Sequence, residues 1–249
     1  MNAISIVLIT KNAGNSLKAC LDSLRAFDDV VIYDNGSSDS TLEIARSYAN
    51  VNLHQGEFFG FGKTKAHAVT LAKYPWVFSL DSDETVTPEL ASELLDMQLD
   101  ETKLYYVRRD NYYNGRHIKC CGWYPEKIVR LFNKTKTTFD DAVVHEKIEI
   151  KGLGLDHLEN PIQHFSFHSV ADFLVKIQNY SEIYANEHKG KKSAGICKAI
   201  FRGKSMFLKS YLIKGGWKCG FEGFVISFFA GLGTTVKYLK LREKNLYDS

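Results

Sequence analysis

The first hundred residues alternate between two hydrophobic periods, and that alternation narrows the fold more than any other feature of the chain. The β-branched run ISIVLI (4–9) reads as a buried strand. Leu17, Cys20, Leu21 and Leu24 follow at the i, i+3, i+4, i+7 spacing of an amphipathic helix. VVIY (30–33) is a second strand, and Ser40 with Glu43 spells a capping box that opens a helix at residue 40. A short strand near 51–54 precedes GFGKTKAHAVTLAK, a loop entering a helix. WVFSL (76–80) is the next strand, and Thr87 with Pro88 makes an N-cap and first-turn pair for the helix after it. Strands alternating with helices in this way predict a doubly wound α/β half with a largely parallel sheet.

From residue 103 the pattern changes. LYYVRRDNYYNG and KIVRLFN read as strands joined by turns, without clear intervening helices, which suits a mixed sheet or substrate-shaping loops. Helical spacing returns from residue 170 to the end. With 45% hydrophobic and 24% charged residues, the 249-residue chain has the make-up of an ordinary globular protein, which excludes disordered and fibrous classes. Five cysteines, an odd number that includes adjacent Cys120 and Cys121, argue against a secreted disulfide framework. The N-terminus MNAISIVLITKN has no basic n-region or small-residue cleavage site, so a cytoplasmic location is expected.

In open α/β sheets, ligands bind beyond the carboxyl ends of the strands. Three polar clusters fall there: TKN (10–12), YDNGSSDST (33–41) and DSDE (81–84). Any one of them is compatible with plain turn chemistry. All three at one sheet edge point to a ligand site. In DSDE, Asp81 and Asp83 lie two apart and share a side if the chain stays extended. Paired carboxylates disfavour each other's charged form unless a cation neutralises them. A hard divalent ion, Mg²⁺ or Mn²⁺, takes such oxygen ligands and shares them with substrate phosphates. A solvated acidic turn is the alternative.

SIVLITKN, VVIYDNGSSDST, the GFGKTKAHAV helix entry and WVFSLDSDE occur in that order, followed by GWYPEKIVRLF, VHEKIEI and HFSFHS. On these motifs the sequence resembles the family 2 (inverting) glycosyltransferases of the GT-A fold. In its second half it is most similar to bacterial lipopolysaccharide-core β-glucosyltransferases acting on inner-core heptose. The resemblance implies a Rossmann-like, mostly parallel mixed sheet flanked by helices, with a helical, basic C-terminal extension. The expected division is a catalytic domain over 1–168, split into a nucleotide-sugar-binding half (1–100) and an acceptor half (101–168), then a helical region over 169–249. It also implies roles. Thr10 and Asn12 would lie against the nucleotide, and Asp34 would hydrogen-bond the uracil or its ribose. Lys63 would sit near the nucleotide or its diphosphate, Asp81 on the ribose side, and Asp83 on the metal. Asp39 and Glu84 would support their loops. His164 would complete the metal shell, with His168 a weaker alternative.

An inverting transfer needs one general base to deprotonate the attacking hydroxyl. Glu146 is the first candidate and Glu126 the second, with Asp140 or Asp141 third. The glutamate-aspartate pair that many relatives carry on a helix is missing. A surface strand carboxylate is the plain alternative for Glu146. His145 would orient the base or contact phosphate. Arg130 is a candidate diphosphate contact, since a guanidinium bridges two oxygens. Trp123 and Tyr124 are candidates for stacking on the acceptor sugar, against a core or lid role.

The net charge of +3 conceals an asymmetry: residues 189–218 hold nine Lys/Arg and no Asp or Glu, leaving −6 for the rest. No nucleic-acid-binding signature accompanies these basic residues. Phe207, Leu208, Tyr211 and Leu212 share a helical face among them, which suits a membrane surface, as against the basic outer face of a packed subdomain. FEGFVISFFAGLGTTV (221–236) is too short and too interrupted by Glu and Gly for a comfortable span and reads as an interfacial or buried helix. Together these expectations describe a UDP-sugar-dependent enzyme, glucose its expected donor sugar. It would act on a lipid-linked saccharide, peripheral on the cytoplasmic face of the inner membrane, with oligomeric state open. Two rivals stand: a metal-dependent nucleotide-sugar hydrolase or nucleotidyltransferase, and a catalytically silent sugar-nucleotide or membrane-binding module.

Overall fold

The computed structural model describes residues 2–142 and 146–247. The chain forms two compact units, one of residues 1–110 with 126–164 and the other of residues 111–125 with 165–249. In order, the chain begins β1 (Ile4–Thr10), α1 (Leu17–Asp22), β2 (Val30–Asp34), α2 (Thr41–Arg46), β3 (Val51–Gln55), α3 (Phe61–Thr70) and β4 (Trp76–Ser79). It continues with β5 (Glu84–Val86), α4 (Pro88–Asp96) and β6 (Lys103–Tyr113). Then come β7 (Arg116–His117), β8 (Glu126–Asn133), β9 (Gly154–His157) and β10 (Ile162–Phe167). The helices α5 (Val170–His188), α6 (Ile196–Leu208) and α7 (Gly220–Tyr247) complete the chain.

Among the described residues the strands make one sheet in the order β3-β2-β1-β4-β8-β6-β10-β5, with β7 and β9 paired to β6. The strands β3, β2, β1 and β4 are parallel. At β8 the direction reverses, antiparallel to both β4 and β6. The change of pattern at residue 103 is this seam.

Side-chain alternation on each strand covers both faces of the sheet. Ile4, Ile6 and Leu8 of β1 pack with Leu17 and Leu21 of α1, Phe78 of β4 and Leu90 and Leu94 of α4. Val7 and Val77 point the other way, against Ala68 and Val69 of α3 and Phe132 of β8. Ile4, Ile6, Leu8 and Phe78 are all but inaccessible to water. Burial of that kind contributes about 1.5–3 kcal/mol per large side chain.

The Thr87 N-cap forms as expected, its Oγ accepting from Leu90 N–H at 3.2 Å. The capping box at Ser40 does not. Ser40 has near-helical dihedrals and makes no side-chain cap. Asp39 takes over, accepting from Thr41 N–H at 3.0 Å and from Gly14 N–H at 2.9 Å. A capping box forms instead at α5, where the Asp172 carboxylate accepts from Ser169 N–H at 2.8 Å and from His168 N–H at 2.7 Å.

In the second unit, Phe173 stacks between Phe167 and Phe229, with centroids at 4.0 and 5.0 Å. Cys120 and Cys219 are joined in a disulfide with Cα atoms 6.4 Å apart. The sequence reading did not expect this pair, whose partners lie 99 residues apart. The segment 221–236 belongs to a helix of 28 residues, longer than the sequence suggested. Among the described residues, Gly216–Tyr247 is one stretch long and apolar enough to cross a membrane by length and composition, with 39% of its apolar window buried.

Candidate active site

The strand ends of the first unit build a charged cluster. Just past the end of β4, Asp81, together with Glu84 at the start of β5, meets Arg130 of β8. One guanidinium nitrogen donates to Asp81 Oδ2 at 2.7 Å and to Glu84 Oε1 at 2.6 Å. Arg109 of β6 donates to Glu84 Oε1 at 3.2 Å and grips both oxygens of Glu126 at 3.0 and 2.7 Å. Glu84 also accepts from Asp81 N–H at 2.9 Å, closing the turn on itself. From α3, the Lys65 ammonium reaches Asp81 Oδ1 at 2.9 Å and Glu146 Oε1 at 2.8 Å. The repulsion written into DSDE is therefore relieved at Asp81 and Glu84 by cations of the chain itself.

Lys65 is the residue that sequence reasoning missed in favour of Lys63. Lys63 is exposed, while Lys65 lies on the buried stripe of α3 with Ala68 and Val69. That i, i+3, i+4 spacing was the available signal. The start of α3 approaches the segment before Glu146 closely: Gly62 N–H donates to Ala142 O at 3.0 Å, and a Cβ on Gly62 would fall 2.0 Å from Asp140 O. Only glycine permits this approach.

The other expected residues are placed as follows. Asp34 is fully buried and accepts from Thr10 Oγ at 3.1 Å and from the N–H groups of Gly36 and Ser37 at 3.0 and 2.9 Å. Asn12 adopts φ 53° and its carboxamide oxygen accepts from Ser38 N–H at 2.8 Å. Thr10, Asn12 and Asp34 thus form one loop constellation. His164 of β10 brings its Nε2 to 3.4 Å from Asp83 Oδ2. Asp140 accepts from the N–H groups of Ala142 and Lys147, each at 3.2 Å, and Asp141 is exposed. His145 lies outside the described residues. Trp123 and Tyr124 belong to the second unit, where Trp123 stacks on Phe167 at 5.5 Å and Tyr124 is edge-on to His117 at 5.6 Å.

The family model described as glycosyl transferase family 2 matches residues 5–147, more than half of the chain. The chain belongs to glycosyl transferase family 2. A glycosyltransferase of Rickettsia typhi is 28% identical, over 99% of this chain and 89% of its own length. The lipopolysaccharide core biosynthesis glycosyltransferase LpsC of Rhizobium meliloti is 28% identical, over 89% of this chain and 85% of its own. Among solved structures, S. aureus TarS 1–349 in complex with UDP aligns over 100% of this chain and 92% of its own, at 15% identity and a TM-score of 0.47. The expectation of an enzyme that transfers a glycosyl group stands, and the relatives are bacterial proteins.

In this family 2 site the electrostatics are set by competition between burial and pairing. Burial alone would raise the Asp81 carboxyl, but Arg130 and then Lys65 hold it well below the usual carboxylate range. Burial would lower Lys65, yet Asp81 and Glu146 together raise it. Burial opposes the charge of Arg130 too, and Asp81 and Glu84 raise it beyond an ordinary arginine. All three ionise together. Asp81 keeps 30% of its side-chain surface exposed whereas Glu84 keeps none, so solvent screens the first pairing more than the second.

Asp83 with His164 fits a shared divalent cation. Ligands about 2.1 Å from an octahedral ion sit about 3 Å apart, close to the observed separation. Among the described residues no third His, Cys, Asp or Glu completes a cluster. Two protein ligands suit Mg²⁺ or Mn²⁺, which keep waters and substrate phosphates in the remaining positions.

Proposed function

We propose that this family 2 glycosyltransferase transfers glucose, with inversion, from UDP-glucose to a heptose of the lipopolysaccharide inner core. The observation that carries the donor side is the meeting of Asp83 and His164 beside the Asp81 cluster. Asp83 and His164 would hold Mg²⁺ or Mn²⁺, which would supply positive charge for the diphosphate leaving group. Thr10, Asn12 and Asp34 receive the nucleoside, and Asp81 faces the ribose. Lys63, exposed on α3, supplies positive charge near the diphosphate, whereas Arg130, expected there, is buried with its guanidinium taken up by Asp81 and Glu84.

Glu146 acts as the base. Its carboxylate is 15% exposed and fixed by Lys65, so one oxygen is oriented while the group keeps access to solvent. Glu126 is gripped at both oxygens by Arg109 and would have to leave that fork to take a proton. Trp123 and Tyr124 receive the acceptor saccharide. The basic stretch 189–218 with exposed Phe201, Ile213 and Trp217 supports work on a lipid-linked acceptor at the cytoplasmic face of the inner membrane.

The test is a donor screen with Mg²⁺ or Mn²⁺ against purified truncated core lipopolysaccharides, read by mass spectrometry. The expected result is a single hexose added from UDP-glucose by the wild type and none by Asp83→Ala. Full transfer by Asp83→Ala, or a different preferred donor, overturns the corresponding part of the reading.

A further inference from the structure

Within the second unit, α6 and α7 cross with almost nothing between their backbones. A Cβ on Gly231 would lie 2.9 Å from Gly203 O, and one on Gly203 would lie 3.0 Å from Gly231 O. Small residues allow such an approach. The larger side chains on either side then stand up as walls. Ile200 and Leu208 rise from α6, and Phe224 and Phe228 from α7, each between 46% and 50% exposed. The result is an apolar trough of about 490 Å³ with a glycine floor, and Lys204 takes part in its lining. Its size falls in the range of about 300–1,000 Å³ typical of sites for small ligands. None of these residues belongs to the transfer chemistry.

Charge selects the occupant. The trough lies along the stretch 189–218, with its nine Lys/Arg and no acidic residue. A second copy of this face would set those charges against their like, which is disfavoured. An anionic amphiphile is complementary in both parts.

We propose that the α6–α7 trough is a binding site for one acyl chain of an anionic phospholipid of the bilayer, with the lipid phosphate beside Lys204. The proposal rests on the reading that the enzyme works at a membrane surface and adds to it a discrete lipid site. The trough gives the bound lipid an apolar lining, and the surrounding lysines concentrate anionic headgroups near it.

The experiment is vesicle flotation with the full-length protein, which needs no turnover and so is independent of donor and acceptor identity. Vesicles of phosphatidylcholine alone are compared with mixtures of phosphatidylcholine and phosphatidylglycerol. Wild type is expected to float with the mixed vesicles and remain below with the neutral ones. Leu208→Ser with Phe228→Ser, both at half-exposed positions, should weaken binding about ten-fold, since each removes apolar contact with the chain. Lys204→Glu should weaken it by a similar factor, and circular dichroism should confirm that all variants are folded. Brominated acyl chains should quench the fluorescence of Trp introduced as Ile200→Trp. Unchanged flotation of the wall variants, equal binding to neutral vesicles, or no quenching would overturn the site. So would a lipid-free dimer abolished by the same wall substitutions, which would make the trough an interface between copies.

Discussion

Replacing Arg130 with Met tests the charge cluster most directly. Arg130 is 5% exposed and serves Asp81 and Glu84 at once, and Glu84 is wholly buried. For charge centres about 4 Å apart at an effective dielectric constant of about 20, each pairing is worth about 4 kcal/mol before desolvation. Removing one partner of a buried pair typically costs about 3–5 kcal/mol because the other charge is stranded. Glu84 retains Arg109 at 3.2 Å and Asp81 retains Lys65, so the lower end of that range is expected. At roughly 2–4 °C per kcal/mol for a chain of this size, the melting temperature should fall by roughly 6–12 °C. Hydrogen exchange should localise the loss to β4 and β8. Glu84→Gln alone should cost less, and the double variant less than the sum, with a coupling of about 1–3 kcal/mol. A shift under about 2 °C, or strict additivity, would show that the cluster does not stabilise the seam as argued.

Three further outcomes are expected. Asp81 has its folded pKa depressed, so the stability it contributes is present above the ordinary value of about 3.9 and is lost as pH falls through the folded value. The gap in urea-unfolding free energy between wild type and Asp81→Asn should therefore be steady from neutral pH to about pH 5 and shrink in stronger acid; a gap that widens in acid contradicts the pairing. Glu146→Gln should lower turnover by about 100-fold or more while sparing UDP affinity, as loss of a general base does. If Glu126→Gln does this instead, the base is assigned to the wrong carboxylate. Thiol titration in denaturant without reductant should find three of the five cysteines free, and five would exclude the Cys120–Cys219 pair.

Strands β1, β2 and β4 could be read from the sequence because each is an apolar run bounded by turn residues, and burial on both faces demands such runs; β3, VNLHQ at the sheet edge, carries a weaker signal. The polar clusters at their ends were legible for the same reason. Charge pairing across the sheet was not. Nothing local to Arg109 or Arg130 says that strand β8 reverses beside β4 and sets a guanidinium against Glu84. Lys65 was legible in principle, since residues two apart on a helix face different ways and the apolar stripe marks the buried one. Ser40 misled because Asp39, one residue earlier, reaches the same turn and displaces it. The Cys120–Cys219 pair closes over 99 residues, a separation that no periodicity encodes.

The ion pairs across the seam have a consequence for how such enzymes diversify. Asp81 and Glu84 are encoded before the residue-103 boundary, their partners Arg109 and Arg130 after it. A chimera joined at that boundary, with the first hundred residues of one enzyme and the remainder of another, inherits acids from one parent and cations from the other. It loses that pairing, and the stability that goes with it, unless both parents place matching charges at all four positions. Exchange at residue 103 therefore keeps its full stability among relatives that share the same lock.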